Sequence, residues 1–435
     1  MKKFCLIFGL ALFASACTKK ETALAQLPDM TMVRSNLAFT CTHEAEHLPP
    51  LDPQADTLFR YGRYLQKKAG PKDFNNIARY YRIAAAYGHY KANHNAQLLI
   101  SQGLADSPDA PKEAVDLATQ LVQHSIPGGY YDIGHYLEIG YGLKQDPETA
   151  LRYFRKAADL GNPEAQAYVA EQLAPHDKAP AIALQMRRCA ADQGYGDAAN
   201  TLGVYLQDNY EYAEAVKAFQ TGVTAGNSMS ASFLRDGFKG PPSSNQLDYL
   251  ALSSDPERSR RYDLIWKFLT GNDGRNPKVP DIDKIVPLPP ANLPPWDGTF
   301  QWQKEQDAAV PPQKPSDELI DQMAKAKHLD PATGLPLAVQ TESTSQKAQS
   351  EHVATRLPLG TVAHTGESCP EDGVWCAKLS AGQAGDTQRR FLKGDPLPSV
   401  VVHEPRRLAF VDGLMGTRKH TTQVAWQLVA YLDPV

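Results

Sequence analysis

A turn motif recurs at a nearly constant interval through the first half of the chain. Its turn position falls on Gly88, Ser125, Gly161, Gly194 and Gly226. Successive turns are 37, 36, 33 and 32 residues apart, an interval that holds a pair of helices. Each pair can bury its apolar face only against its neighbours, so stacked pairs form a solenoid. The sequence therefore predicts a mainly α fold, an α-solenoid of helix-pair repeats over residues 51–270.

The residues around the turns carry the signals of helix ends. Asp146-Pro147-Glu148 places an N-cap, a proline at the first helical position and an acid in the first turn. Gly161 supplies a residue that can adopt the positive φ with which helices often end. Residues 134–161 as a whole resemble a Sel1-like repeat, a relative of the tetratricopeptide repeat. That family usually forms protein-binding scaffolds, so the resemblance implies interaction rather than catalysis.

Tyrosines are concentrated in this array, since sixteen of the nineteen lie between Tyr61 and Tyr212. Most of them are predicted to pack between the helices of the solenoid. The alternative is that some of them lie on a concave binding face, which solenoids commonly present to partners. A helix over residues 256–269 is predicted to cap the array.

A proline-rich segment follows the array, with ten prolines within residues 277–315. This density prevents a long helix and favours extended chain. A disordered linker is the alternative, but it would lack the apolar side chains that this segment carries. We therefore predict an ordered strap over residues 271–340 that lies across the end of the solenoid. It includes a short helix from Ser316 to about Lys327.

Three stretches resemble an uncharacterised family of proteobacterial repeat lipoproteins. They are residues 39–44 with 49–53, residues 279–290 and residues 293–302, and the likeness as a whole covers roughly residues 35–340. Some members of that family accompany type VI secretion lipase effectors and act as their periplasmic immunity proteins. The resemblance implies the same role here, with a secreted lipase as the protein partner, and it assigns no contact residue.

The first residues read as a bacterial lipoprotein signal. A short basic start and about ten apolar residues lead to small residues before Cys17, so residues 1–16 are predicted to be a signal peptide and Cys17 the lipidated residue. Cleavage after Ala25 is the alternative. Thr18 does not match the inner-membrane retention signal, so we expect a lipid anchor on the periplasmic face of the outer membrane. Residues 17–50 would then be a tether and docking segment.

Four cysteines would remain in the mature chain, an even number that suits an oxidising compartment. Cys369 and Cys376 flank a turn and a strand, and a local disulfide between them is predicted. Cys41 and Cys189 would then be the leftover pair. A buried free thiol at Cys189 is an equal alternative, because sequence does not establish bridging distance.

The C-terminal part has a different pattern. Residues 341–356 are polar and are predicted to form a linker, and residues 357–435 to form a small β-rich domain that is a separate unit. Alternating apolar residues predict a strand over residues 422–431, with shorter strands at 389–392 and 400–403. The segment around Cys369 resembles C-terminal modules of other secretion-linked immunity proteins.

No catalytic motif in the sequence has a suitable context. His43, Glu44 and His47 match the zinc-protease pattern H-E-x-x-H, but prolines follow at once and no helix can continue. A polar segment that docks on the first repeat is the preferred interpretation, and neither a metal nor another cofactor is expected. A net charge of −4 offers no basic surface for nucleic acid.

Two groups of side chains are candidate partner contacts. The arginines could meet an acidic partner or simply be solvated, and the aromatic residues could anchor an interface or pack the strap. They are Arg258, Arg260 and Arg261, and Trp296, Phe300 and Trp302.

The sequence and the family resemblance together favour a periplasm-facing lipoprotein that is not an enzyme. It would neutralise a toxic effector by occlusion, and the resemblance implies that this effector is a type VI secretion lipase or phospholipase. An envelope interaction scaffold is the second hypothesis. A zinc-dependent hydrolase that uses His43, Glu44 and His47 is the remote third.

Overall fold

Helix hairpins build the first part of the protein. The computed structural model describes residues 37–175, 178–337, 357–380, 384–385, 387–404 and 418–431. Within that part of the chain, twelve helices stack as six consecutive hairpins. They are α1 (Pro53–Lys67), α2 (Phe74–Ala85), α3 (Tyr90–Ser101), α4 (Ala110–Gln123), α5 (Pro127–Ile139), α6 (Pro147–Asp159), α7 (Pro163–Leu173), α8 (Pro180–Asp192), α9 (Gly196–Asp208), α10 (Tyr212–Thr224), α11 (Ser228–Gly237) and α12 (Pro256–Gly271). The predicted α-solenoid is confirmed.

The turns between hairpins share one backbone geometry. All five predicted turn positions have positive φ, including the non-glycine Ser125 at 55°. The next residue donates its N–H to a carbonyl five residues earlier, as from Asn162 to Ala157 at 2.9 Å. This bond satisfies a carbonyl that the helix end would otherwise leave without a partner. The repeat spacing deduced from the sequence is therefore a spacing of helix ends.

Close approach within a hairpin depends on a small residue in its first helix. Gly134 of α5 faces Phe154 of α6, and a Cβ on Gly134 would lie 2.7 Å from a ring carbon of Phe154. Phe154 is fully buried in the core of the third and fourth hairpins, so its ring has little room to move.

We expect Gly134→Ala to lower the free energy of unfolding by about 1–3 kcal/mol, because overpacking forces a buried ring off its position. Gly271→Ala is the matched control, since a Cβ there would meet nothing within 4 Å. Chemical denaturation monitored by circular dichroism measures both. Equal stabilities for the two variants would show that the α5–α6 contact adapts to the extra methyl group.

The segment before α1 lies against the middle of the solenoid, not on the first repeat as predicted. Gln166 of α7 donates to the carbonyl of Thr42 at 2.9 Å, and the Glu44 N–H donates to Gln193 at 2.8 Å. A disulfide joins Cys41 to Cys189 of α8. The residues from Phe39 onward form one compact unit, and Leu37 and Ala38 fall outside it.

The strap is ordered, and it runs back along the solenoid. It contains helices α13 (Ile282–Ile285), α14 (Gln301–Ala308) and α15 (Asp317–Ala326). Its start packs in the core of the last hairpins, whereas Ile320 and Met323 of α15 are buried in the core of the first ones. The prediction that it crosses only one end of the solenoid is therefore wrong. The strap ties the first hairpin to the last.

The C-terminal region contains two small antiparallel sheets among the residues that the structure describes. One has the order β1-β7-β2-β4 and the other β3-β5-β6. The strands are β1 (Val362–His364), β2 (Gly373–Lys378), β3 (Ala384–Gly385), β4 (Gln388–Phe391), β5 (Val400–Glu404), β6 (Arg418–Thr422) and β7 (Ala425–Tyr431). Trp375 and Trp426 are fully buried between them.

This β-rich region packs on α6, the second helix of the third hairpin, and does not stand apart as predicted. Leu392, 1% exposed, is buried in the same core cluster as residues of the third and fourth hairpins, Tyr130 and Tyr153 among them. Arg390 donates to the Asp146 carboxylate at 2.5 Å and to the Thr149 hydroxyl at 2.8 Å. The apolar contact and the charge-assisted bonds together fix the region against the solenoid.

The predicted disulfide between Cys369 and Cys376 is wrong, because both thiols are free. Side chains alternate across a strand. In β2, Trp375 is buried in the core that also holds Cys369, and Cys376 lies on the opposite face. The sheet therefore separates the two sulfurs. Burial raises the pKa of the Cys369 thiol to about 12.

Several predictions concern residues outside the described ranges. The signal peptide, Cys17 and the linker at 341–356 are among them. In the part of the chain that is described, no helix combines the length and apolarity that a membrane crossing requires.

Candidate functional site

The first helices of consecutive hairpins line two adjoining cavities, which together we call the groove. The first cavity has a volume of about 390 Å³ and the second about 270 Å³. Tyr131 and Glu164 line both cavities, so the two are continuous. The side chains that give the groove its chemistry are Glu44, Arg63, Tyr90, Lys91, His94 and Asp132 around the first cavity, and Tyr168, Glu171, Arg187, Tyr195 and Asp197 around the second.

A histidine–aspartate pair forms the floor of the first cavity. Nδ1 of His94 in α3 lies 3.2 Å from the Asp132 carboxylate of α5; the side chains are 46% and 8% exposed. The charge of Asp132 raises the pKa of His94 to about 9, and Glu164 and Glu44 add to the effect against the opposing effect of burial. His94 is thus an imidazolium at neutral pH, which makes it a charge partner rather than a general base.

We expect Asp132→Asn to lower the His94 pKa from about 9 by removing the principal charge that raises it. Because the pKa is raised in the folded state, the stabilising contribution of His94 is fully present below a pH of about 6.5, its pKa in the unfolded chain. That contribution disappears as the pH rises through about 9. Titration of the His94 ring protons by NMR measures the midpoint. Glu138→Gln, which alters the partner of His135, should leave that midpoint unchanged. An unaltered midpoint in Asp132→Asn would contradict the assignment.

The N-terminal segment forms one wall of the groove. Glu44 and Leu48 both line the first cavity, and Asn162 donates to the Glu44 carboxylate at 3.1 Å. Burial raises the pKa of Glu44, against the effect of this hydrogen bond. Because Cys41 is bonded to α8, the disulfide holds this wall in place.

The second cavity is rich in aromatic rings. Tyr131, Tyr168 and Tyr195 line it, together with the carboxylates of Glu164, Glu171 and Asp197. Burial, followed by the charges of Asp197 and Glu164, raises the pKa of Tyr195 to about 12. The groove is therefore an aromatic surface with fixed charges, an arrangement that suits binding.

The structure places the predicted partner contacts outside the groove. Arg258 and Arg261 are buried, and both donate to backbone carbonyls of the strap, so their prediction as contacts is wrong. Arg260 is exposed and pairs with Glu257. Phe300 stacks on Phe268 with 3.9 Å between ring centroids.

The other aromatic candidates also pack the strap. The Trp302 ring meets Phe268 edge-on at 5.8 Å, and Trp296 meets Phe300 edge-on at 5.5 Å. This is the packing alternative that the sequence left open, and it explains why these rings are not exposed anchors.

The zinc-protease pattern does not form a metal site. Glu44–Glu46 is a single 3-10 turn, whereas two histidines four residues apart share a metal only on an α-helix. His43 does lie near the sulfurs of Cys41 and Cys189, but the disulfide removes the thiolates that would bind an ion.

Comparison with solved structures identifies relatives of the chain. The immunity protein PA5088 from Pseudomonas aeruginosa is 30% identical, with a TM-score of 0.50, and the match covers 58% of this chain and 94% of that one. The chain belongs to the PA5088 family. Immunity protein PA5087 from the same organism is 31% identical, with a TM-score of 0.48 and coverage of 58% and 95%.

Further comparisons add two findings to membership of the PA5088 family. A family model described as a domain of unknown function, DUF6396, matches residues 230–337, the last hairpin and the strap. A Sel1 repeat protein from Oxalobacter formigenes is 20% identical, with a TM-score of 0.40, over 49% of this chain and 87% of that one. No curated protein sequence matches the chain.

Reasoning from the sequence did not find the groove residues individually. The one available signal was the concentration of tyrosines. Some of them pack between helices and others line the groove, so both interpretations given for them hold. Tyr80 and Tyr81 are buried between helices, whereas Tyr131 and Tyr195 line the groove. Acidic residues such as Glu164 carried no signal, because an acid in the first turn is also an ordinary helix-start residue.

Proposed function

We propose that this protein is an immunity protein, which binds a toxic effector protein and neutralises it by occlusion. The observation that carries the proposal is the 30% identity to immunity protein PA5088 over 94% of that chain. The groove supports it, because aromatic rings with fixed charges suit a protein partner. The solenoid scaffold supplies an extended surface of this kind.

The proposal extends to the partner and the compartment. The effector is a type VI secretion lipase or phospholipase, and the protein faces the periplasm on a lipid anchor at Cys17. The disulfide between Cys41 and Cys189 supports this compartment, because such bonds persist in oxidising environments. The leader sequence and the family resemblance of the strap support the anchor and the class of effector.

Growth of cells that export the neighbouring gene's product to the periplasm tests the proposal. The product should stop growth when it is expressed alone, and co-expression of this protein should restore it. The same product retained in the cytoplasm is the control for compartment. Toxicity without rescue would contradict the immunity function for that pair and favour an envelope scaffold. Rescue from a toxin without lipase activity would keep the function and overturn the class of effector.

A further inference from the structure

The second cavity of the groove has an unusual set of walls. Three tyrosine rings and three carboxylates face a volume of about 270 Å³, with one cationic side chain, Arg187, among the lining residues. Arg187 already has partners within the protein, because it forms an ion pair with the Glu171 carboxylate at 2.9 Å and lies over the Tyr205 ring at 5.9 Å. The remaining carboxylates, Glu164 and Asp197, leave the cavity with an excess of negative charge.

Glu164 is central to this excess. Within the described part of the chain its carboxylate makes no hydrogen bond or ion pair, and neither do the hydroxyls of Tyr131 and Tyr195. Its charge reaches both rings, because it contributes to the raised pKa of each tyrosine, after burial. The partly buried Glu164 carboxylate thus shares the cavity lining with the two rings and interacts with His94 only through its charge, so its oxygens are available to a bound cation.

We propose that this cavity binds an arginine or lysine side chain of the effector, with Glu164 as its ion-pair partner and the Tyr131 and Tyr195 rings as cation–π walls. The inference rests on the proposed function and names the chemistry of its partner. A cation is attracted to the face of a tyrosine ring within about 6 Å, and the same cation can pair with a carboxylate. The Glu171–Arg187–Tyr205 cluster shows the same chemistry within the protein itself.

Two further features favour a side chain on a polypeptide. Small-molecule pockets usually occupy about 300–1,000 Å³, and this cavity lies just below that range. The Nε of Arg187 is buried without a hydrogen-bond partner in the described part of the chain. Because this atom is inaccessible in the structure, a backbone carbonyl of a bound segment would satisfy it only after the Arg187 side chain shifts. A free ammonium ion offers no such acceptor.

The charges of the groove also give the bound segment a direction. Arg63 and Lys91 line the first cavity and make no ion pair with an acid in the described part of the chain. Basic side chains therefore stand beside the acids in the first cavity, whereas acids are in excess in the second. A segment with its basic residue toward α9 matches this polarity.

A direct binding measurement tests the cavity without the effector. NMR of the full chain with N-acetyl-arginine amide should show saturable shifts at Tyr131 and Tyr195, and N-acetyl-glutamine amide should show none. Glu164→Gln should weaken the arginine probe about 10-fold. Glu318→Gln, an exposed acid outside the groove, is the matched control and should not. No binding, or tighter binding of tetramethylammonium than of the arginine probe, would overturn the proposal.

The effector that wild-type protein neutralises supplies the second measurement. Titration calorimetry with an inactive form of the effector should show that Glu164→Gln reduces the affinity about 10-fold or more. Changing the salt concentration should not restore the affinity of this variant. Tyr195→Phe should retain affinity, and Tyr195→Leu should lose it, with melting temperatures showing that both are folded. If wild-type protein rescues growth but Glu164→Gln binds the effector with undiminished affinity, the proposed role of the cavity is refuted and the immunity function stands.

Discussion

Replacing Cys41 and Cys189 by serine is expected to lower the free energy of unfolding by about 5 kcal/mol. The bond joins residues 148 positions apart, and it encloses the first four hairpins in one loop. In the chain-entropy description, a crosslink that closes a loop of this length strongly restricts the unfolded chain, at about 4.7 kcal/mol for 100 residues. Guanidinium denaturation of the oxidised wild type and of the double variant measures the difference.

The free thiols provide the control for this experiment. Cys376→Ser removes a half-exposed sulfur on the outer face of β2 and should change stability by less than about 0.5 kcal/mol. Peptide mapping under non-reducing conditions should recover one crosslinked pair, Cys41 with Cys189. Recovery of a Cys369–Cys376 peptide would contradict the structure's pairing, whatever the stability of the variants.

Loss of this bond should also change the groove. The segment that carries Glu44 and Leu48 would then be held by the packing of Phe39 and by hydrogen bonds such as that from Gln166 to Thr42. Its amides should exchange faster with solvent in the double variant. Protection equal to wild type would show that these remaining contacts suffice to hold this wall.

Arg261→Ala should lower the free energy of unfolding by about 3 kcal/mol. Its guanidinium donates to the carbonyls of Ile285 and Pro294 at 2.6 and 2.8 Å and to the Glu257 carboxylate at 2.8 Å. The side chain is 9% exposed, so alanine would leave buried acceptors without donors, each at a cost of about 1–3 kcal/mol. Denaturation measures the loss, and hydrogen exchange of residues 277–300 should show where the strap loosens.

The neighbouring arginine separates this effect from a general loss of charge. Arg260 is 57% exposed, and its partner in the described part of the chain is the same Glu257, so Arg260→Ala should leave the stability close to that of wild type. Similar losses in the two variants would mean that the contacts with the strap contribute little and that Arg261 acts through Glu257 alone.

Local signals in the sequence sufficed to predict the solenoid. Helix caps and turn glycines act over five or six residues. The residues around Asp146 or Gly161 are therefore enough to predict the local backbone conformation. Ser125 differs, because its turn position was identified from its place in the repeat and not from its residue type; its φ is 55°. The ordered strap was predictable as well, because apolar residues within a proline-rich segment must find a surface to cover.

Long-range partners were not predictable in this way. The pairing of Cys41 with Cys189 stayed one of two equal alternatives, and Arg261 looked like a solvated residue of a capping helix, because each depends on a segment far away in the sequence. The groove has the same origin, since Glu44, Asp132 and Glu164 meet only once the hairpins have stacked. The sequence by itself determined the hairpins and their turns, which local backbone energies specify. Only the tertiary structure decided which surfaces meet, because small rotations between successive hairpins add up along the array.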